Sequence, residues 1–336
     1  MVRSAFLLAI FAATLSAQMK KILISNNDPA IVKELMGVTT KARLVHVTEK
    51  NIMEEIVDAD ACVCEIRPEQ VRAGKKLKWV QSYAAGMERL LPPLAASNEL
   101  RESNIILTNN QIVEGIELAD HAFAMLLFNT REIHKMVDQR QKELWQARPY
   151  GGIELRGLTA VIIGVGGAGT QIAFRAWAFG MNVIGVDPDD IPIMPIISKV
   201  VKPDQLNEVL PQADVVFVSA PHTKESHKMM GPTQFELMKK GSYFIVVSRG
   251  GLYDLNALVK ALDSKHLAGA GVDVTDPEPL PKGHPLWKFD NVVITPHVAG
   301  RSQHDKARMV GTMKENIVRF VEGKQLINIV DKQKGY

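Results

Sequence analysis

The sequence predicts an α/β protein built from two doubly wound parallel sheets. Three observations carry this. Apolar, strand-like runs alternate with helical patterns from residue 20 to about residue 83, a second alternating series runs from Thr159 to Thr295, and one helix-patterned stretch separates the two. Strands that alternate with helices form parallel sheets, because joining parallel neighbours requires a crossover long enough to hold a helix.

The elements follow in chain order. Residues 1–18 are set aside from the fold. Met1-Val-Arg3-Ser leads into an apolar run from Ala5 to Leu15 and then Ser16-Ala17, the form of a secretory signal peptide. The alternative is a start at Met19, because Met19-Lys-Lys-Ile-Leu-Ile-Ser reads directly as a first strand. The first reading implies export to the periplasm, the second a cytoplasmic protein. Ile22–Ile24 is a strand, Ile31–Met36 a helix, Leu44–Val47 a strand, Ile52–Val57 a helix, and Ala61–Cys64 and Trp79–Tyr83 are strands. Leu118, Ala122, Met125, Leu126, Ile133, Met136, Val137 and Leu144 then repeat at helical spacing, predicting one long helix broken by Pro149-Tyr-Gly-Gly. Strands resume at Leu158–Ile163, Asn182–Val186, Tyr243–Val247, Ala268–Val272 and Asn291–Ile294. Met309, Met313, Ile317 and Phe320 mark a final helix.

Composition excludes several classes of function. Hydrophobic residues make up 46% of the 336 and charged ones 23%, enough apolar matter for two buried cores. Forty basic side chains nearly balance 37 acidic ones, for a formal charge of +3. That balance gives no electrostatic case for a nucleic-acid or membrane partner. The two cysteines, Cys62 and Cys64, read as small buried apolar residues, since a metal site would need further soft ligands. No metal is expected. The 14 methionines read as gap-filling core.

The most specific motif is the turn Gly164-Val-Gly166-Gly167-Ala168-Gly169, which joins the apolar strand before it to the helical pattern Thr170–Phe179. Gly164 allows the tight turn, Gly166 lets the backbone approach a pyrophosphate, and Gly169 lets the helix pack on the strand. The next strand ends on Asp187, 18 residues after Gly169, where a carboxylate can accept hydrogen bonds from the ribose hydroxyls. The pattern is Rossmann-like. Asp187, with Asp189 and Asp190 nearby, would repel a 2′-phosphate, which favours NAD over NADP.

Three later strands end in polar groups. One runs into Ser248-Arg249-Gly-Gly, one into Asp273 and then Glu278, and one into Thr295-Pro-His297. Ligands of open parallel sheets bind beyond the carboxyl ends of the strands, so an arginine, a carboxylate and a histidine converge on one crevice. That set suits hydride exchange with a 2-oxo acid. A guanidinium holds the carboxylate bidentately, a histidine exchanges the proton, and a glutamate orients that histidine and favours its charged form.

With these residues in place the sequence resembles the D-isomer-specific 2-hydroxyacid dehydrogenase family, which includes glyoxylate/hydroxypyruvate reductases and phosphoglycerate dehydrogenases. The resemblance runs from Met19 to about residue 330 through GVGGAG with Asp187, SAPHTKES at 219–226, SRGGLYDLNAL at 248–258, GVDVTDPEP at 271–279 and TPHVAG at 295–300. It implies that Arg249 binds the substrate, His297 is the acid/base and Glu278 its partner. Asp273 would hold the nicotinamide carboxamide, and the amides of Ala85 and Gly86 would help bind the substrate carboxylate. Pro221, Thr223, Val247, Ser248 and Gly300 would join the glycine turn around the cofactor. The implied architecture is a flavodoxin-like substrate domain, 19–117 plus 302–336, and a Rossmann NAD(P)-binding domain, 118–301. The implied assembly is a homodimer.

Three positions depart from the family pattern. Gly167-Ala168 replaces a larger pair inside the turn, Val246 replaces an asparagine, and Ala84 replaces a glycine in the substrate loop. Glu278 also argues against the formate dehydrogenase branch. His222 is expected near the adenine end of the cofactor, while Asp120-His121 and His134 are expected to be structural. His284 and Trp287 read as loop residues that either shape the substrate mouth or have no role in the site. Two alternatives accompany this reading. One is an NADH-sensing corepressor-like protein with little turnover. The other is a short phosphoglycerate dehydrogenase, since the chain ends at Tyr336 with no room for an added regulatory domain.

Overall fold

In the computed structural model, residues 19–91 and 97–336 are described, so the signal-peptide reading of residues 1–18 lies outside them. The first half forms strands β1 (Lys21–Ile24), β2 (Arg43–His46), β3 (Ala61–Val63), β4 (Trp79–Gln81) and β5 (Ile106–Thr108). They make one parallel sheet in the order β2-β1-β3-β4-β5, the flavodoxin-like order. Its helices are α1 (Pro29–Met36), α2 (Ile52–Glu55), α3 (Pro68–Ala73) and α4 (Glu99–Glu102).

Two helices follow. The chain passes through α5 (Gly115–Thr130) and α6 (Ile133–Gln141) where the apolar repeat predicts one long helix. The break has a local cause: Glu132 adopts φ +50°, outside helical geometry. The halves also differ in burial. Ala122, Met125 and Leu126 of α5 are buried, whereas α6 buries no residue. Ile133, Val137 and Leu144, which continue the repeat, face solvent.

The second half forms β6 (Thr159–Ile163), β7 (Asn182–Val186), β8 (Lys199–Val201), β9 (Val215–Val218), β10 (Ser242–Val246), β11 (Leu267–Val272) and β12 (Val292–Ile294). The parallel sheet runs β12-β11-β10-β9-β6-β7-β8, so strand order reverses between β6 and β9. Helices α7 (Gly167–Ala178), α8 (Leu206–Val209), α9 (Pro232–Leu237) and α10 (Leu255–Asp263) complete this unit. β9 and β10 are buried throughout, which is why their sequences are continuous apolar runs. Alternate side chains feed opposite cores. Val161, Val216 and Phe244 join α10 on one face, while Ile162, Phe217 and Ile245 join α5 and α7 on the other.

The last helix, α11 (Asp305–Glu322), returns the chain to the smaller sheet. Its Val310, Met313 and Ile317 pack with Ile22, Ile24 and Trp79. The tail then adds the backbone bond Val330 N–H to Leu107 O, 2.9 Å. Cys62 and Cys64 are both buried, but they are joined in a disulfide where the sequence reading expects two unlinked residues. The chain leaves the strand at Val63, which brings their Cα atoms within 5.5 Å. None of the described helices is long and apolar enough to cross a membrane.

Candidate active site

The glycine turn lies where strand order reverses, at the start of α7. Gly164 has φ +87°, and a Cβ there would stand 2.5 Å from Ala220 Cα on the neighbouring connection. A Cβ on Gly169 would strike Gly164 O, so only glycine lets helix and strand meet this closely. Gly166 caps α7 and has open space on its side-chain face. The small pair Gly167-Ala168 also finds a reason: a Cβ at 167 would stand 2.8 Å from Ile112 Cα. The segment before α5 rests on the turn and leaves no room for a larger residue.

Asp187 is buried. Its Oδ2 accepts from Val165 N–H at 2.7 Å and its Oδ1 from Asp189 N–H at 2.9 Å. Each oxygen keeps a lone pair for a ribose hydroxyl. Its acidic neighbours are less available than the sequence implies. Lys334 pairs with Asp189 at 2.6 Å and Lys202 with Asp190 at 2.7 Å. Repulsion of a 2′-phosphate therefore falls to Asp187 alone, because both of its acidic neighbours are paired with lysines.

Beyond the ends of β11 and β12, His297 Nδ1 lies 3.0 Å from Glu278 Oε2. A carboxylate can only accept, so Nδ1 carries the hydrogen and Nε2 is left for a reacting group. The other glutamate oxygen accepts from Thr275 N–H at 3.1 Å, which fixes the carboxylate. His297 holds φ +53°, and its N–H donates to Asp273 O at 2.8 Å.

The Asp273 side chain has no exposure, and its oxygens accept from Thr295 Oγ1 at 2.6 Å, Val298 N–H at 3.0 Å and Ala299 N–H at 3.0 Å. These bonds anchor the loop that carries His297. His121 of α5 joins the same network through Thr295 Oγ1 at 2.9 Å, a packing role as expected from the sequence.

Arg249 follows β10 and reaches across to the substrate-domain loop. Its Nε donates to Glu88 Oε1 at 2.7 Å and its Nη1 to Ser248 O at 2.7 Å. The guanidinium lies over Gly86, where any Cβ would collide with it. The loop under it is tied down from both sides. Asn109 Nδ2 donates to Ala85 O at 2.7 Å, Asn110 Nδ2 to Tyr83 O at 2.9 Å, and Glu65 Oε1 accepts from Ser82 Oγ and Tyr83 N–H at 2.7 Å each. Among the described residues, neither Ala85 N–H nor Gly86 N–H meets an acceptor. Two fixed donors beside a guanidinium suit a carboxylate.

The remaining expected residues fall at the same sheet edge. Pro221 and Thr223 follow β9, where Thr223 N–H donates to Ser226 Oγ at 2.8 Å. Val247 and Ser248 follow β10, and Ser248 Oγ donates to Val218 O at 3.3 Å. Gly300 follows β12, and a Cβ there would stand 2.5 Å from Glu114 Oε2. His222 is not where the sequence reading puts it. Its ring packs on Gly251, 3.0 Å from His227 Nδ1, on the substrate side of the crevice rather than the adenine end. His284 accepts from Leu286 N–H at 3.1 Å and so caps a local turn.

The sequence reading misses Glu88, Glu114, Asn109 and Asn110. Only Glu88 had a signal, its place two residues after Gly86. Burial pushes the Glu88 carboxyl up, but the charge and hydrogen bond of Arg249 more than offset this and hold it below the usual range. Burial, and next the neighbouring Glu117, push Glu114 up. Burial, and next His227, hold His222 below the ordinary histidine value.

Comparison with known proteins agrees with this geometry. Residues 123–299 match the NAD-binding domain of the D-isomer specific 2-hydroxyacid dehydrogenases. The chain is 32% identical to a glyoxylate reductase from Korarchaeum cryptofilum over 297 residues, 85% of this chain and 87% of that one. It is 31% identical over 321 residues to a D-3-phosphoglycerate dehydrogenase from Methanocaldococcus jannaschii, covering 93% of this chain but spanning only 60% of that relative's length. A solved NADPH-dependent glyoxylate/hydroxypyruvate reductase from Sinorhizobium meliloti, in complex with NADP and sulfate, shares the fold. It aligns with a TM-score of 0.79 and 23% identity over 94% of this chain and all of that one. The two parallel sheets, the glycine turn and the matched sequence thus lead to one assignment: the chain belongs to the D-isomer specific 2-hydroxyacid dehydrogenase family.

Proposed function

We propose that this chain interconverts a small 2-oxo acid and its D-2-hydroxy acid, of the glyoxylate or hydroxypyruvate type, with NAD(H) as the cofactor. The observation that carries the reading is the His297–Glu278 pair at 3.0 Å, in the same crevice as Arg249 and the two unpaired amides of Ala85 and Gly86.

Each group has one task. The open face of Gly166 and the N-terminus of α7 suit a pyrophosphate, and Asp187 suits the ribose hydroxyls. Its charge beside the 2′ position supports NAD over NADP. The nicotinamide, when bound, supplies or accepts the hydride. Arg249, with the amides of Ala85 and Gly86, orients the substrate carboxylate. His297 Nε2 gives a proton to the substrate oxygen in reduction and takes it back in oxidation. Glu278 stabilises the imidazolium that exists while the proton is held, and keeps the ring turned to the substrate. The likeness to a named glyoxylate reductase supports the substrate class.

The same reading includes a homodimer. α6 buries nothing: Ile133 and Val137 on it are exposed, as are Leu144, Trp145 and Tyr150 in the segment that follows, Trp145 to 99%. A cluster of large exposed apolar side chains marks an interaction surface.

Oxidation of NADH and of NADPH by purified protein, followed at 340 nm with glyoxylate, hydroxypyruvate, pyruvate, phenylpyruvate and 2-oxoglutarate, tests the activity. NADH-dependent turnover of the short acids is expected. Tight NADH binding without turnover on any of them would replace this reading with a sensing role.

A further inference from the structure

Arg249 has five N–H donors, and two are engaged within the protein, Nε by Glu88 and one on Nη1 by Ser248 O. Three remain, one on Nη1 and two on Nη2. Nη2 lies directly over Gly86, on the loop whose Ala85 and Gly86 amides are unpaired, and Glu88 Oε2 borders the same position. The free donors on Nη1 and Nη2 suffice for one carboxylate.

A second anionic group on the same substrate would meet a different environment. Glu88 is 13% exposed and fixed against the guanidinium, offsetting the charge that would attract another anion. Glu278 faces the crevice beside His297, Glu114 borders Gly300, and Asp276 lies within electrostatic reach of His222. Facing them are Arg249 itself and the histidines 222, 227 and 297. Burial, and next His227, disfavour the charged form of His222.

We propose that Glu88 is the specificity-determining residue of this site, orienting Arg249 from the opposite domain and restricting substrates to 2-oxo acids with one negative charge. A hydrogen or a hydroxyl on C3 is accepted; a phosphate or a second carboxylate is rejected. The inference rests on the 2-oxo acid reading above and narrows it. At an effective permittivity of about 20, a carboxylate roughly 6 Å from a second anion disfavours it by roughly tenfold to a hundredfold.

The test compares the wild type with Glu88→Gln and Glu88→Asp. Substrates are glyoxylate and hydroxypyruvate as monoanions, and 3-phosphohydroxypyruvate and oxaloacetate as the more highly charged acids. Wild type is expected to favour the monoanions. Glu88→Gln should raise the ratio of kcat/KM for the charged acids over the monoanions by about tenfold or more, mainly through KM. Glu88→Asp should keep the wild-type ratio while raising KM for all four, because the charge stays but no longer reaches Nε. The inference is overturned if wild type prefers the phosphorylated acid, if Glu88→Gln changes all four acids alike, or if a folded Glu88→Asp loses the discrimination.

Quenching of bound NADH fluorescence by oxamate and by tartronate, a monoanion and a dianion, reads the same filter without turnover. A wild type that turns over none of the four acids therefore defeats the proposed activity, while the inhibitor ratio still decides the role of Glu88.

Discussion

At the scale of single residues, the chemistry depends on how one proton is held. His297 is fixed by a backbone bond to Asp273 O and by Glu278 on Nδ1, so its free nitrogen has one orientation. His297→Ala should lower kcat by about 10² to 10⁴ while NADH still binds, as read by steady-state rates beside NADH fluorescence titration. Undiminished turnover would remove His297 from the mechanism. Glu278→Gln keeps a hydrogen-bond partner but not the charge that stabilises the imidazolium. It should cost less activity than His297→Ala in steady-state rates. A loss as large as that of His297→Ala would mean that Glu278 does more than orient and stabilise the histidine. Asp273 adds to this fixation, because three donors from the Thr295–Ala299 loop bond to its carboxylate.

Between residue and molecule lies the strand–turn–helix element formed by β6, the glycine turn and α7. Gly164 combines a positive φ with a close approach to Ala220, and both penalise a side chain. Gly164→Ala should destabilise the fold by about 1–3 kcal/mol and weaken NADH binding, since the turn cannot relax without moving the start of α7. Thermal unfolding with and without NADH measures both effects. An unchanged melting temperature would show that the turn tolerates a Cβ. The end of β7 makes a separate prediction. Asp187→Ala should raise KM for NADH and shift the NADPH-to-NADH preference upward by about tenfold, because a charge beside the 2′ position is removed while Lys202 and Lys334 remain nearby. An unchanged preference would place cofactor selection elsewhere. The α5–α6 pair shows how an apolar period misleads. The helical repeat continues past Thr130, but Glu132 interrupts the backbone and the later apolar residues face solvent.

On the scale of the whole molecule, the two sheets are tied across the crevice by ion pairs. Glu88 meets Arg249, and Lys334 of the tail meets Asp189. The first of these makes stability depend on pH. Glu88 is held below its ordinary value of 4.5, so its contribution is complete above that pH and is lost as pH falls through the lowered value. The stability difference between wild type and Glu88→Gln should therefore shrink as pH falls below 4.5, as measured by thermal melts from neutral to acid pH. A constant difference would mean that the pair adds no pH-dependent stability. The exposed apolar surface around α6 makes the remaining prediction. Trp145→Glu should convert the proposed dimer to monomer in size-exclusion chromatography with light scattering. A wild type that is already monomeric would remove the dimer from the proposal.

The sequence by itself determined the two alternating halves, the dinucleotide turn and the trio of Arg249, Glu278 and His297. These are local properties: buried strands show as continuous β-branched runs, tight turns demand glycine, and strand ends place polar groups at one edge of a sheet. Tertiary structure alone decided the pairing of Arg249 with Glu88, 161 residues apart, and the neutralisation of Asp189 and Asp190 by lysines from other segments. It also decided the burial of Asp273, the turn of His222 toward the substrate side, and the disulfide between Cys62 and Cys64. Each of these depends on which side chains meet across a crevice or at a bend in the chain, and neither spacing nor composition encodes that meeting.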